Sequence, residues 1–305
     1  MSSPSGILLV GGSGFIGRAL VASFAAEGRE VHVLSRKPAP SLPTGVQGHV
    51  GDQGDKAILR PLLARCAQVI HLASATTPGD TVWSPSAEAE ASLLPALRFL
   101  ECLQDFPESR VIFVSTGGAL YGNAEIASET TVLSPSSYHG AGKVALEAFF
   151  SVLGQRRSSQ TTILRPSNIY GPGQPQRAGF GIIRNMLERA RDGGQVTLWG
   201  DGSSVRDYLY IDDMVAACKL VLLGPAGIFN IGAGIGTSLN ELIAQVQMIT
   251  GRTLLVQRRP ARASDVRQIV LDASRAMECL GWRPKVGLAE GILATWNWLV
   301  DERQA

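Results

Sequence analysis

The chain has 305 residues, 45% hydrophobic and 18% charged, and its 28 Lys and Arg against 26 Asp and Glu leave a net charge of +2. That length holds a large core, and a charge this near zero argues against a nucleic-acid or anionic-membrane partner. Cys66, Cys102, Cys218 and Cys279 are scattered without a C-x-x-C pair, so buried thiols of a reducing compartment are expected, not disulfides or metal ligands.

The first six residues carry neither a basic stretch nor a long apolar one, and no apolar run reaches membrane-span length; a cytoplasmic enzyme is expected. The apolar run Ile7–Val10 reads as a buried strand. Gly11-Gly12-Ser13-Gly14-Phe15-Ile16-Gly17 follows it and opens a helix predicted over Arg18–Glu27, with a second strand predicted within Glu30–Leu34. The spacing G-x-x-G-x-x-G is a close variant of the dinucleotide fingerprint. Gly11 permits the tight turn, Gly14 lets backbone approach a pyrophosphate, and Gly17 lets the helix pack close to the sheet. The unpaired N–H groups of the first turn, at Phe15 and Ile16, would receive the phosphates. At the end of the second strand, where a carboxylate commonly holds the adenosine ribose, stand Ser35, Arg36 and Lys37. Two cations and a hydroxyl suit a 2′-phosphate, so NADP is favoured over NAD, the other reading being a solvated loop. Asp52 is placed to accept from the adenine amino group, or is a turn aspartate.

Further strands are predicted at Val69–Ala73, Val111–Val114 and Thr162–Leu164, with helices at Lys56–Arg65, Ala87–Gln104 and Gly142–Leu153 between them. Continuous apolar strands alternating with helices predict a doubly wound parallel α/β sheet of the Rossmann type. Ligands in such sheets lie beyond the strands' carboxyl ends, where Ser74–Thr77, Ser115–Gly118 and Pro166–Asn168 fall. Gly171-Pro172-Gly173-Gln174-Pro175 then breaks the pattern. Beyond it a helix (Ile182–Arg191), a strand (Val196–Trp199), a strand (Ile228–Ile231) and two helices (Leu239–Thr250, Leu288–Val300) are predicted. The expected division is a nucleotide-binding domain over 1–170, with contributions from 205–235, and a smaller substrate lobe over 171–305.

His71-Leu72-Ala73, Ser115 to Gly122, Arg165 to Gly173, Trp199 to Tyr208 and Pro260 to Val266 join the glycine loop in a pattern that runs nearly end to end. The chain resembles the extended short-chain dehydrogenase/reductase family, in particular the nucleotide-sugar epimerases and dehydratases, and looks most like UDP-sugar 4-epimerases. The resemblance implies that a tyrosine, helped by a Ser or Thr hydroxyl, takes the proton of the sugar C4 hydroxyl while hydride passes to the nicotinamide; hydride then returns to the other face. A lysine four residues after the tyrosine binds the nicotinamide ribose and lowers the phenol pKa. It also implies cofactor contacts at Leu72, Ala73 and Pro166, and Thr116 as the hydroxyl partner with Ser115 as runner-up. Thr76, Asn168, Arg206, Arg262 and Asp265 would surround the sugar and diphosphate. Helices Ala87–Gln104 and Gly142–Leu153 would pair two subunits as a homodimer, although Pro95 would disturb the first. Trp199 is expected in the core, the other reading being that it packs on the uracil side.

One position departs from the pattern. In Tyr138-His139-Gly140-Ala141-Gly142-Lys143, the residue four before the lysine is His139. One residue of helix is about 100° of rotation, so Tyr138 cannot simply replace it. His139 is the acid/base, or a one-residue bulge near Gly140 and Gly142 restores Tyr138, or the site serves another reaction. The expected activity is a nucleotide-sugar 4-epimerase on a UDP-hexose or its N-acetylated form. An NADPH-dependent 4-ketoreductase of a keto-deoxy sugar and a non-catalytic dinucleotide-binding protein are the alternatives.

Overall fold

In the computed structural model, residues 4–39, 41–76, 84–156, 161–176, 180–261 and 266–301 are described. The chain begins β1 (Gly6–Val10), α1 (Phe15–Ala26), β2 (Val31–Ser35), β3 (Val46–Val50), α2 (Lys56–Leu63) and β4 (Cys66–His71). Then α3 (Pro85–Glu88) passes through a π turn (Ala89–Leu93) into α4 (Leu94–Leu103), followed by β5 (Arg110–Val114), β6 (Ala124–Ala127), α5 (Tyr138–Gln155) and β7 (Thr161–Pro166). Next come β8 (Asn168–Tyr170), α6 (Ile182–Asp192), β9 (Gln195–Trp199), β10 (Val205–Tyr210), α7 (Ile211–Val221) and β11 (Gly227–Ile231). The last elements are β12 (Gly236–Ser238), α8 (Leu239–Thr250), β13 (Leu255–Arg259), β14 (Gln268–Leu271), α9 (Ser274–Leu280) and α10 (Leu288–Asp301).

The packing divides into two units: Met1–Thr116 with Tyr138–Arg165 and Val215–Phe229, and Gly117–Ser137 with Pro166–Met214 and Asn230–Ala305. Residues 117–137, placed by the sequence reading in the first domain, thus pack with the second unit. The principal sheet has seven strands in the order β11-β7-β5-β4-β1-β2-β3. The pairings from β3 through β7 are parallel, with registers such as Ile7↔Val31 and Leu8↔Val69. Strand order reverses between β1 and β4, which is the ligand-binding crevice of such sheets. All five residues of β1 are buried, as are all five of β2; β1 reads as an apolar run after Gly6, whereas β2 carries His32 and Ser35 among its apolar residues. One core cluster joins Leu8, Val10, Leu34, Val69, Phe99, Phe113, Phe150 and Ile163. Phe113 and Phe150 stack at 4.3 Å within it; each fully buried ring stabilises by roughly 1.5–3 kcal/mol.

Several expectations need correction. β4 ends at His71, so Leu72 and Ala73 lie just past the strand, Leu72 N still donating to the Val10 carbonyl at 2.8 Å. The edge strand β3 was not anticipated, because its residues are mostly exposed and include Gly48. The helix expected over 87–104 is interrupted by the π turn, which ends two residues before Pro95; a proline has no N–H for the i→i−4 bond, and the following helix begins with it in its first turn. Cys66, Cys102 and Cys218 are buried free thiols, whereas Cys279 is exposed. Among the described residues no helix is long and apolar enough to cross a membrane, and no group of His, Cys, Asp or Glu is arranged to hold a metal.

The second unit has a sheet ordered β12-β10-β14-β6, with β8 pairing β10, and a separate parallel pair β13-β9. Two buried aspartates organise it. Asp207 accepts the backbone N–H of Ala233, Gly234 and Leu271 at 2.9–3.2 Å. Asp213 accepts those of Lys285 and Val286 at 3.0 and 3.1 Å, while its carbonyl takes the Nε1–H of the buried Trp282. Trp199, expected in the core, is 37% exposed, because the short β9–β13 pair leaves one face open.

Candidate active site

In the first unit the glycine loop forms a cradle. Gly11 has φ +82°, and a Cβ there would stand 2.7 Å from the backbone of Ala73. A Cβ on Gly17 would lie 2.5 Å from Gly12 backbone atoms, so only glycine lets α1 begin this close to the turn. Gly14 is the N-cap and supplies no side-chain cap; no acidic residue occupies the first turn of α1. The first helical bond is Arg18 N to Gly14 O at 2.8 Å, so the amides of Phe15, Ile16 and Gly17 precede the helical ladder at its positive end. These features fit a dinucleotide pyrophosphate. At the end of β2 the Ser35 hydroxyl donates to the Lys37 carbonyl at 2.7 Å, and Arg36 and Lys37 are exposed. Asp52 is exposed, with Oδ1 accepting Gly54 N–H at 2.7 Å as in a turn.

The acid/base row lies on α5 and beyond the end of β5. His139, Lys143, Leu146, Glu147, Phe150 and Leu153 are all buried, the stripe expected of one helix face. The helix is unbroken through Gly140 and Gly142, so the bulge that would restore Tyr138 is absent. Tyr138 is 43% exposed, while His139 is 8% exposed with Nδ1 2.9 Å from Thr76 Oγ1. The physical reason is register: Lys143 and His139 are four apart and share the buried stripe, whereas Tyr138 is turned about 100° away. Lys143 is 6% exposed; its Nζ donates to the Val114 carbonyl at 3.1 Å and lies 4.9 Å from the Phe113 ring centroid. Burial lowers its pKa to about 8 against the opposing pull of Glu88 and Glu147. Ser115, next after Val114, donates its N–H to Leu164, and its buried Oγ has no hydrogen-bond partner among the described residues. Thr116 beside it is half-buried.

Sequence reasoning missed the polar groups beneath this row. Glu147 forks onto Arg165 with three bonds of 2.6–3.1 Å. His71 is enclosed by Phe99, Phe113 and Phe150, its Nε2 2.6 Å from Gln53 Oε1. Burial, aided by Lys143, lowers its pKa to about 3. Between about pH 6.5 and 3 the unfolded chain therefore binds a proton at residue 71 that the folded chain refuses, and stability falls as pH drops through that window. His71→Asn is expected to shift the acid-unfolding midpoint downward in a fluorescence titration; an unchanged midpoint would show that this ring is accessible.

In the second unit Pro166 is buried, its carbonyl accepting from Gly117 N–H. Asn168 is exposed, and its Nδ2 donates to the Asp207 carbonyl at 2.8 Å. Arg206 donates to the carbonyls of Val205 and Val266 at 2.9 and 2.6 Å. Arg206 and Asp207 do not pair with each other in a surface ion pair: neighbouring strand residues face opposite ways, and Asp207 points inward. Arg262 and Asp265 lie outside the described residues.

Comparison with known proteins bears on the family and the fold. A model of the NAD dependent epimerase/dehydratase family matches residues 7–232. The UDP-glucose 4-epimerase of Mycolicibacterium smegmatis is 32% identical, over 97% of this chain and 99% of that protein. The structure of the UDP-glucose 4-epimerase of Thermotoga maritima with UDP-glucose superposes with a TM-score of 0.92 at 32% identity, covering 98% of this chain and 99% of the other. That of the Thermus thermophilus UDP-glucose 4-epimerase with NAD gives 0.90 at 35% identity, covering 96% and 98%.

Proposed function

The chain belongs to the NAD dependent epimerase/dehydratase family, and on that premise we propose that it inverts C4 of a UDP-hexose or UDP-N-acetylhexosamine by transient oxidation. The observation that carries this reading is the row Thr76–His139–Lys143, with His139 and Lys143 buried and Thr76 half-buried, in the same unit as the dinucleotide cradle. The bound nicotinamide supplies a reversible hydride acceptor. His139 takes the proton of the C4 hydroxyl as the hydride leaves, and returns it to the same oxygen after the keto sugar has turned its other face. Thr76 fixes the imidazole plane through Nδ1. Lys143 holds the nicotinamide ribose, and the hydroxyl of Thr116, with Ser115 behind it, steadies the C4 oxygen. Asn168, Arg206, Arg262 and Asp265 grip the sugar and diphosphate, Arg supplying forked donors that match phosphate oxygens. Leu94, Phe149 and Val152 are exposed apolar residues of α4 and α5; on this reading they form a homodimer face.

The test is incubation of the purified protein with UDP-glucose and catalytic NAD, followed by NMR of the anomeric protons. UDP-galactose should accumulate to a fixed ratio without net coenzyme consumption. Stoichiometric oxidation of NADPH by a nucleotide-linked 4-keto sugar would identify the reductase instead, and binding without turnover would overturn both.

The coenzyme in this reading is NAD, following the family's description and the NAD of the Thermus thermophilus structure. Arg36 and Lys37 nonetheless offer a 2′-phosphate two exposed cations beside Ser35. Replacing both by alanine is expected to weaken NADPH binding about tenfold, the scale of two exposed charge contacts, and to leave NADH unchanged. Fluorescence titration checks this. Equal loss for both coenzymes would show that the pair does not face the ribose.

A further inference from the structure

A histidine at position 139 raises a charge problem that a tyrosine would not. A phenol cycles between neutral and anionic forms, so a lysine one turn away assists it. An imidazole cycles between neutral and cationic forms, and the same lysine opposes the cation. The charged and titratable groups facing this row are Lys143 and Glu147 on α5, Arg165 on β7, His71 on β4 and Glu88 at the end of α3, with Tyr138 exposed beside them. Burial keeps His71 neutral at pH 7, its pKa being about 3. Glu147 is committed to Arg165 by its fork. Glu88 is the carboxylate that remains to balance Lys143.

Its placement is specific. Glu88 is 7% exposed, and a Cβ added at Gly142 would meet its Oε1 at 3.0 Å and its Cγ at 3.3 Å. The carboxylate therefore lies against the backbone of α5. Gly142 adjoins Lys143 and is three residues beyond His139, a separation that brings side chains on one helix face to about 5–6 Å. A Cβ at 142 would require the carboxylate to give by a few tenths of an ångström, so glycine is what admits so close a contact. The path that delivers Glu88 is also unusual: the single turn of α3 ends at this residue and passes directly into the π turn Ala89–Leu93, a geometry that recurs at functional sites.

We propose that Glu88 is a positioning residue: packed against Gly142, its carboxylate supplies the negative field that lets the His139 imidazole act as an acid beside Lys143. No bond forms or breaks at Glu88. The proton carried by His139 comes from the sugar C4 oxygen and goes back to it. The inference rests on His139 being the acid/base of the epimerase reading, and it has a consequence of opposite sign. A tyrosine at residue 139 works through its phenolate, which the same carboxylate disfavours.

The experiment has two arms on the full chain. In the first, the four histidine rings are titrated by NMR between pH 5 and 9 without coenzyme, His139 being assigned from the signal missing in His139→Phe. Glu88→Gln should lower the His139 midpoint by about one pH unit, a tenfold smaller imidazolium fraction above that midpoint, while Glu88→Asp retains most of the wild-type value. Glu88→Ala should move the midpoint the same way by removing the carboxylate, and it carries the test if Glu88→Gln does not fold. In the second arm, Glu88→Gln should slow epimerisation of UDP-glucose about tenfold in the histidine enzyme and accelerate it in a His139→Tyr background. An unmoved midpoint, or equal losses in both backgrounds as a structural role would give, overturns the proposal and leaves the epimerase reading standing. A wild-type protein inert towards every UDP-sugar sinks that reading instead, and the NMR arm still decides what Glu88 does to His139.

Discussion

Lys143→Met is expected to lower turnover by roughly 10²–10³, the scale of losing a fixed charge at a reacting centre, and to erase a rise of stability with pH that this residue supplies. The ammonium is buried, and its pKa in the folded chain is about 8 against a starting value of 10.5. Between those values the unfolded chain holds one proton more than the folded chain, so stability from this group climbs as pH rises through the window. The climb amounts to about 3 kcal/mol, at 1.36 kcal/mol for each pH unit of separation. Buried Cys66 and Cys218 oppose it above pH 9, since burial pushes both thiols up to about 12 and the unfolded chain loses those protons first. The quantity to measure is therefore the difference between wild type and variant in urea unfolding from pH 7.5 to 10.5. Methionine also strips the Val114 carbonyl of its donor, a cost of about 1–3 kcal/mol, but that cost is an offset without slope. Two parallel stability curves would show that Lys143 is solvated in the folded protein.

The elements that could be read from sequence are those whose burial is uniform or whose ends carry their own chemistry. β1 and β2 are buried on both faces, so β1 appears as an apolar run and β2 as one interrupted only by His32 before it ends at Ser35. α8 is found residue for residue, because Ser238 and Glu241 form a capping box at one end and Gly251 closes the other in the left-handed conformation. β3 escaped because an edge strand with exposed residues has no such signature. Glu88 escaped for a different reason. A glutamate in a segment that also holds Glu90 reads as a solvated helix face, and only the π turn and the absent side chain of Gly142 bring it inside. Had Gly142 been weighed as a site of close approach, and not as a weakness in the helix, the sequence would have asked what approaches it. For Arg206 the motif is legible in the sequence, but the bonds of its guanidinium to the Val205 and Val266 carbonyls are seen only in the fold.

His139→Phe should cost about 10²–10⁴ in kcat, the range for removing a positioned acid/base, while Tyr138→Phe should leave kcat within about twofold. The two substitutions separate the imidazole from its neighbour. Phenylalanine at 139 preserves an aromatic ring on the buried stripe but leaves Thr76 Oγ1 without its 2.9 Å partner. At 138 it removes only a hydroxyl from a side chain that is largely exposed. The pH profile adds a sign. The proton that the neutral imidazole takes during oxidation is the one it returns during reduction, so the rate should fall only toward acid pH, where the resting imidazole is already charged. In His139→Tyr, where a phenol stands one turn before Lys143, the protonation step belongs to a group that ordinarily titrates near pH ~10, and Lys143 draws the working value down. The acid limb of the profile should then lie at higher pH. If instead Tyr138→Phe is the inactive variant and His139→Phe turns over normally, the proton passes through the exposed phenol, and the buried row on α5 serves to hold the helix in place.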